Sequence, residues 1–366
     1  HHDLKPVLHQ DLGGDQGFGD VREEGPGIAQ DFELHEVVTV QQLARVHEDV
    51  KKKLCVDVWG VNPSKPRGIS ALPWSEDGYD KLVDEWGIEW WMPVEGGFYY
   101  DMRRHPLEHI DTLEGLKKFK FPDPLHPARY EGMAVRADEL MNQRQVAYVL
   151  GRNAPGIWEI ALWMRGFENF FCDMAERPAF AEALMDIIME IKAKYWEKAL
   201  GLLGADVMMV SEADDLASQN RLLCSPAMYR KFIKPRHTRL FAHIRKSAKV
   251  PVKIFYHSCG AVMPLIPDLI ESGIDILNPV QCSAAGMDPA RLVEIFSDTS
   301  GAATVLKNRG AAVAKALAGE ETLLAVAVVA PGQTLRVLSG ERHMGLSFRE
   351  LEEYRGERGQ RGAVLP

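Results

Sequence analysis

The chain has 366 residues, 46% hydrophobic and 26% charged, with a net charge of −9 and five cysteines. That balance excludes a binder of nucleic-acid backbones, which needs a concentrated basic face, and no apolar run reaches the roughly 18 residues required to cross a bilayer. Cys55, Cys172, Cys224, Cys259 and Cys282 are too few and too scattered for a disulfide framework, so a reducing cytoplasm is the expected setting.

Residues 1–34, rich in Gly, Asp and Gln, read as an irregular tail, and His1-His2-Asp3-Leu4 lacks the basic-then-apolar pattern of a leader. Val37 to Lys53 has helical spacing, and Cys55 to Val61 reads as a strand. Trp74 to Tyr100 mixes aromatics, glycines and acids, as an excursion over the mouth of a barrel would. Phe121-Pro-Asp-Pro124 makes a rigid turn, ahead of a helix over 131–142 and a strand at Val146 to Leu150. A long helical stretch over about 157–200 breaks near Pro178, and Asp206 to Val210 forms the next buried strand. Trp158, Trp163 and Arg165, near the start of that helical stretch, read as packing residues. Ser225-Pro226 starts a helix over about 226–247, a capping residue followed by proline at the first helical position. Strand Val252 to Tyr256, helix Val262 to Ser272, strand Asp275 to Leu277 and helix Pro289 to Phe296 follow. The apolar run from Leu323 to Ala330 reads as one more buried strand. Such alternation predicts parallel βαβ units, with barrel and open doubly wound sheet equally compatible.

Three successive strands deliver ligand-capable groups just past their ends: Ser211-Glu-Ala-Asp-Asp215, His257-Ser-Cys-Gly260 and Asn278-Pro-Val-Gln281. In a barrel that face carries catalysis. In extended backbone His257 and Cys259 point to one side, roughly 6–7 Å apart at Cα, so an imidazole and a thiolate could meet one tetrahedral zinc ion. Glu212, Asp214 and Asp215 form an acidic group able to serve as general acid, metal ligand or substrate anchor.

These residues resemble the uroporphyrinogen decarboxylase superfamily, which includes the cobamide-dependent methyltransferases. The resemblance is carried by Tyr256-His-Ser-Cys-Gly-Ala-Val262, Ile266-Pro-Asp-Leu-Ile270 and Gly273-Ile-Asp-Ile-Leu-Asn-Pro-Val-Gln281, over roughly residues 36–296. Asp84-Glu-Trp-Gly87, Phe121-Pro-Asp-Pro124, Arg165-Gly-Phe-Glu168, Asp214-Asp-Leu-Ala-Ser-Gln219 and Ile233-Lys-Pro-Arg236 support it. It implies a single-domain (β/α)8 TIM barrel over 35–366, with 297–366 divergent. It also implies two competing chemistries. The decarboxylases grip a many-carboxylate substrate with an arginine-rich N-terminal motif, whereas residues 1–34 hold a single arginine, Arg22. The methyltransferase branch binds zinc through His-x-Cys and a later cysteine, and His257 and Cys259 match that pair. No cysteine follows Cys282, so His343, in Ser339-Gly-Glu-Arg-His-Met-Gly-Leu346, is the expected third ligand, with Glu212 and Cys282 as fallbacks.

The leading expectation is a zinc-dependent methyltransferase moving a methyl group between a corrinoid and a thiol or similar acceptor. Its partners would be a small-molecule substrate and a corrinoid protein. Asp214 and Asp215 are the expected catalytic acids, and Tyr256, Gln219, Asn278 and Gln281 the substrate-binding groups. The alternatives are a decarboxylase of uroporphyrinogen or another acid, and a non-catalytic corrinoid- or tetrapyrrole-binding barrel.

Overall fold

Buried apolar faces and a few backbone breaks dictate the element order. The computed structural model describes residues 58–288, except 65 and 67–72, and the short elements 37–38, 43–44, 48–53, 291–292, 323–327 and 337–339. An antiparallel pair, β1 (Val37–Val38) and β2 (Leu43–Ala44), precedes α1 (Glu48–Lys53). Within the expected helix over 37–53, the described residues are helical at Glu48–Lys53 and extended at 37–38 and 43–44; Val37-Val-Thr-Val40 is a run of β-branched residues that lose side-chain freedom in a helix.

After β3 (Val58–Val61), the expected excursion over 74–100 is an ordered antiparallel sheet. Its strands are β4 (Trp74–Glu76), β5 (Tyr79–Val83), β6 (Glu89–Pro93) and β7 (Asp101–Arg104), paired in chain order. Asp77 and Gly78 turn β4 into β5 with φ of 52° and 79°, the left-handed pair that a tight hairpin requires.

Next come α2 (Leu113–Lys118), α3 (Met133–Asp138) and β8 (Ala147–Leu150). The long helical stretch is three helices: α4 (Ile157–Arg165), α5 (Phe167–Glu176) and α6 (Pro178–Leu203). Gly166, at φ 84°, makes a break the sequence reading did not contain. Then follow β9 (Met209–Ala213), α7 (Pro226–Met228), α8 (Lys234–Ser247), β10 (Lys253–His257), α9 (Ile266–Ser272) and β11 (Ile276–Asn278). The last strands are β12 (Leu323–Ala327) and β13 (Val337–Ser339). The expected helix over 289–296 falls mostly outside the described residues.

One sheet runs in the order β13-β12-β11-β10-β9-β8-β3. Strands β3 and β8 to β11 are parallel neighbours, while β12 and β13 join antiparallel. The fold is thus mixed α/β with a parallel sheet, and no strand pairing closes that sheet among the described residues.

Side chains alternate across the sheet. On β9 and β10, Val210, Glu212, Ile254 and Tyr256 are buried on the face covered by α6 and α8. Met209, Ser211, Phe255 and His257 point the other way and keep partial exposure. This alternation turns the acids of 211–215 in different directions.

Candidate functional site

Strand β9 begins later than the sequence suggests, since a tight turn over Gly204–Asp206 follows α6, and it runs on to Ala213. In register, His257 stands opposite Ala213 on one side and Asn278 on the other. Asp215 lies two residues beyond Ala213, and Cys259 two beyond His257. Their ligand atoms converge: a carboxylate oxygen of Asp215, a ring nitrogen of His257 and Sγ of Cys259 all lie within 4.8 Å of one another. His257 Nε2 is 3.8 Å from Asp215 Oδ1, and the two side chains are 37% and 35% exposed, so the cluster is open to solvent.

Surrounding polar groups fix these three. His257 Nδ1 meets Asn278 Oδ1 at 3.0 Å; an acceptor there makes Nδ1 the donor and leaves Nε2 its lone pair. The Cys259 N–H donates to Asp215 Oδ1 at 3.2 Å. The Gly260 N–H donates to Gln281 Oε1 at 2.8 Å, and Gln281 Nε2 donates to Gln219 Oε1 at 2.5 Å. Gly260 has φ 85°, and a Cβ there would sit 2.6 Å from the Ser218 carbonyl oxygen. Only glycine lets the chain turn so close behind Cys259.

Burial, with the Asp215 carboxylate beside it, pushes the Cys259 thiol up to about 12. A cation in contact with the sulfur reverses that balance, because the coordinating species is the thiolate. The donor set of one imidazole, one thiolate and one carboxylate suits zinc.

Glu159, in the first turn of α4, lies within electrostatic reach of Asp215. Burial, with Asp215 and Asp214 adding repulsion, pushes its carboxyl up to about 8. One of its oxygens accepts the Gly156 N–H at 3.0 Å. A carboxyl raised in the folded state favours folding below its unfolded value of 4.5, and that contribution is lost as pH rises toward 8. In chelator-treated protein, Glu159→Gln should flatten the fall in stability between about pH 5 and 8. At pH 8 the variant should be about 1–2 kcal/mol more stable than the parent, as the side chain keeps some water contact. Urea midpoints at both pH values check this, and parallel pH slopes would refute it.

The uroporphyrinogen decarboxylase (URO-D) family model matches residues 87–287, more than half of the chain and all the strands that build the cluster. The chain belongs to the uroporphyrinogen decarboxylase family. Among solved structures, a methyltransferase from Methanosarcina mazei is similar at 17% identity and a TM-score of 0.44, covering 84% of this chain and 82% of that one. No curated protein matches the sequence. Among the described residues of this family member no helix is long and apolar enough to cross a membrane.

The other expected site residues are dispersed. Asp214 is fully buried and turned away from Asp215. Its oxygens accept the N–H groups of Trp158 at 2.8 Å and Glu159 at 2.7 Å and meet His237 Nε2 at 3.0 Å. Glu212, offered as a ligand, lies inside β9 and faces the helices, where Lys192 and Trp196 hold it. Tyr256, offered as a substrate contact, is fully buried against His237 and Phe241. Gln219 and Gln281 bond each other and the turn behind Cys259, with Gln219 Nε2 also donating to the Ser283 carbonyl at 2.9 Å. Cys282 Sγ lies 3.7 Å from the Val280 carbonyl and outside the ligand cluster. His343 lies outside the described residues. Trp158 and Arg165 are buried packing residues, with Arg165 paired to Asp173 and Asp111.

Sequence reasoning did not single out Glu159 or Arg152. Their signal is Gly151-Arg152 directly after a strand, and Gly156-x-x-Glu159 at a helix start.

Proposed function

We propose that this uroporphyrinogen decarboxylase family member is a zinc-dependent methyltransferase, moving a methyl group between a corrinoid and a thiol or similar acceptor. The observation that carries it is the Asp215–His257–Cys259 cluster at the C-terminal ends of adjacent parallel strands. We further propose that the sheet belongs to a (β/α)8 barrel formed by residues 35–366. Supporting this, helices α6 and α8 cover one face of β9 and β10, whereas an open doubly wound sheet carries helices on both.

When bound, zinc supplies the positive charge that keeps an acceptor thiol as a thiolate at neutral pH. The chain's own residues do the rest. Asn278 orients the His257 ring, the Cys259 N–H holds Asp215 toward the sulfur, and the Gln219–Gln281 pair braces the Gly260 turn. A small-molecule acceptor and a corrinoid protein are the partners this reading calls for. The decarboxylase alternative would use an acid such as Asp214 or Asp215, and of these Asp214 supports it poorly because its oxygens already hold the α4 backbone.

Elemental analysis of purified protein tests the proposal. About one zinc per chain is expected, lost in His257→Ala and Cys259→Ser and weakened in Asp215→Ala. Cobalt-substituted protein should show a sulfur-to-cobalt absorption band that Cys259→Ser removes. Wild-type protein that purifies without zinc and takes up none would end this reading.

A further inference from the structure

Arg152 occupies an unusual position. It follows β8 after a single glycine, Gly151, is partly buried, and donates from Nη1 to Ser211 Oγ at 3.0 Å. Ser211 sits on β9 opposite Phe255, two residues before His257 on the same face. Two residues along a strand span roughly 7 Å, so the Ser211 hydroxyl that Arg152 contacts lies one layer beneath the His257 side of the Asp215–His257–Cys259 cluster. Its charge reaches Glu159 without contact, lowering the Glu159 carboxyl against the larger upward effect of burial.

Among the described residues no carboxylate oxygen comes within 4.0 Å of Arg152. Every other described arginine that is not exposed holds a carboxylate: Arg129 has Glu85, Arg136 and Arg144 share Glu48 and Glu139, Arg165 and Arg177 have Asp173, and Arg236 has Asp186. A guanidinium has five donors in a planar fork matched to oxyanions. Here one donor is directed to a neutral hydroxyl, on the sheet face that α6 and α8 leave uncovered. Lys192 fixes the loop behind it, donating to the Ala154 and Pro155 carbonyls at 3.0 and 2.7 Å. The cation is thus presented on a braced turn.

We propose that Arg152 is a specificity-determining residue, binding a negatively charged group of the substrate one layer below the metal-binding cluster. This rests on the proposed function only for the location of the site. The substrate class is a small molecule with a carboxylate or similar oxyanion, and Ser211 holds the guanidinium in place until the anion arrives.

Matched probes test it: propionate against propan-1-ol, and 3-mercaptopropionate against 3-mercaptopropan-1-ol, titrated by ligand-observed NMR into zinc-loaded and chelator-treated protein. Wild type should bind the charged member of each pair about 10- to 100-fold more tightly, the range expected of hydrogen bonds to a charged group. Arg152→Gln should abolish that preference and leave the neutral probes unchanged, while Arg152→Lys should retain part of it. Thermal midpoints of both variants confirm that they are folded. Equal binding of charged and neutral probes by wild type, or a preference that survives Arg152→Gln, would overturn the proposal. If thiol probes bind no better than sulfur-free ones while the charge preference persists, the zinc reading loses support and the Arg152 assignment stands.

Discussion

Replacing Asp214 by alanine is expected to lower the unfolding free energy by about 4 kcal/mol, because three buried donors lose their acceptor at once. Helix α4 starts at Ile157 behind Gly156, which has no side chain to cap it. Asp214 reaches in from the following strand and takes the N–H groups of Trp158 and Glu159, while His237 meets the same carboxylate. A side chain at 156 would collide with it, since a Cβ there would lie 2.0 Å from Asp214 Oδ1. The carboxylate thus caps a helix from another element, where its negative charge also suits the helix dipole. Asp214→Asn keeps the shape but offers one acceptor oxygen where three donors converge, and should cost about 2 kcal/mol. Urea unfolding of both variants gives the test. A catalytic role for Asp214 makes the opposite prediction: Asp214→Asn would abolish turnover with an unchanged midpoint.

The direction of each side chain decided what was legible in the sequence. His257 and Cys259 could be paired from their spacing alone, because a strand has a period of two and both lie on one chain segment. Asp215 joins them from a neighbouring strand, a contact set by register, and no spacing within one segment encodes it. Glu212 reads as a ligand only if β9 ends at Val210. Once the strand extends to Ala213, the same alternation that turns Ser211 to the face opposite α6 and α8 turns Glu212 to those helices. Asp214 misled for a related reason, since adjacent acids beyond a strand end face different ways, one to the α4 backbone and one to the cluster. The hairpin at Asp77-Gly78, by contrast, was written plainly in its residues. The mix of aromatics, glycines and acids around it points instead to an excursion over the mouth of a barrel.

Replacing Lys192 by methionine should cost about 3–5 kcal/mol, the loss expected when one partner of a buried ion pair is removed. Lys192 and Glu212 are 0% and 1% exposed and meet at 3.0 Å. Burial pulls the Lys192 ammonium below its ordinary range, and the Glu212 carboxylate opposes that pull. The pair is tied on both sides: Lys192 to the Ala154 and Pro155 carbonyls, and Glu212 Oε1 to Trp196 Nε1 at 2.5 Å. Methionine fills the space but leaves a bare carboxylate and two loop carbonyls without a donor. Glu212→Gln should be milder, about 2 kcal/mol, because the amide still accepts from Trp196. The double variant should cost less than the two singles together by at least about 1 kcal/mol, since removing the second charge relieves what the first removal left exposed. Full additivity in urea unfolding would mean that the two side chains act independently. Because Lys192 anchors the loop between Arg152 and Glu159, Lys192→Met should also loosen both groups against the cluster. The folded variant should then bind zinc as the parent does while losing the preference for charged probes that Arg152 confers. That outcome would locate the ion pair's contribution to the site in the loop it fastens, separate from the metal ligands.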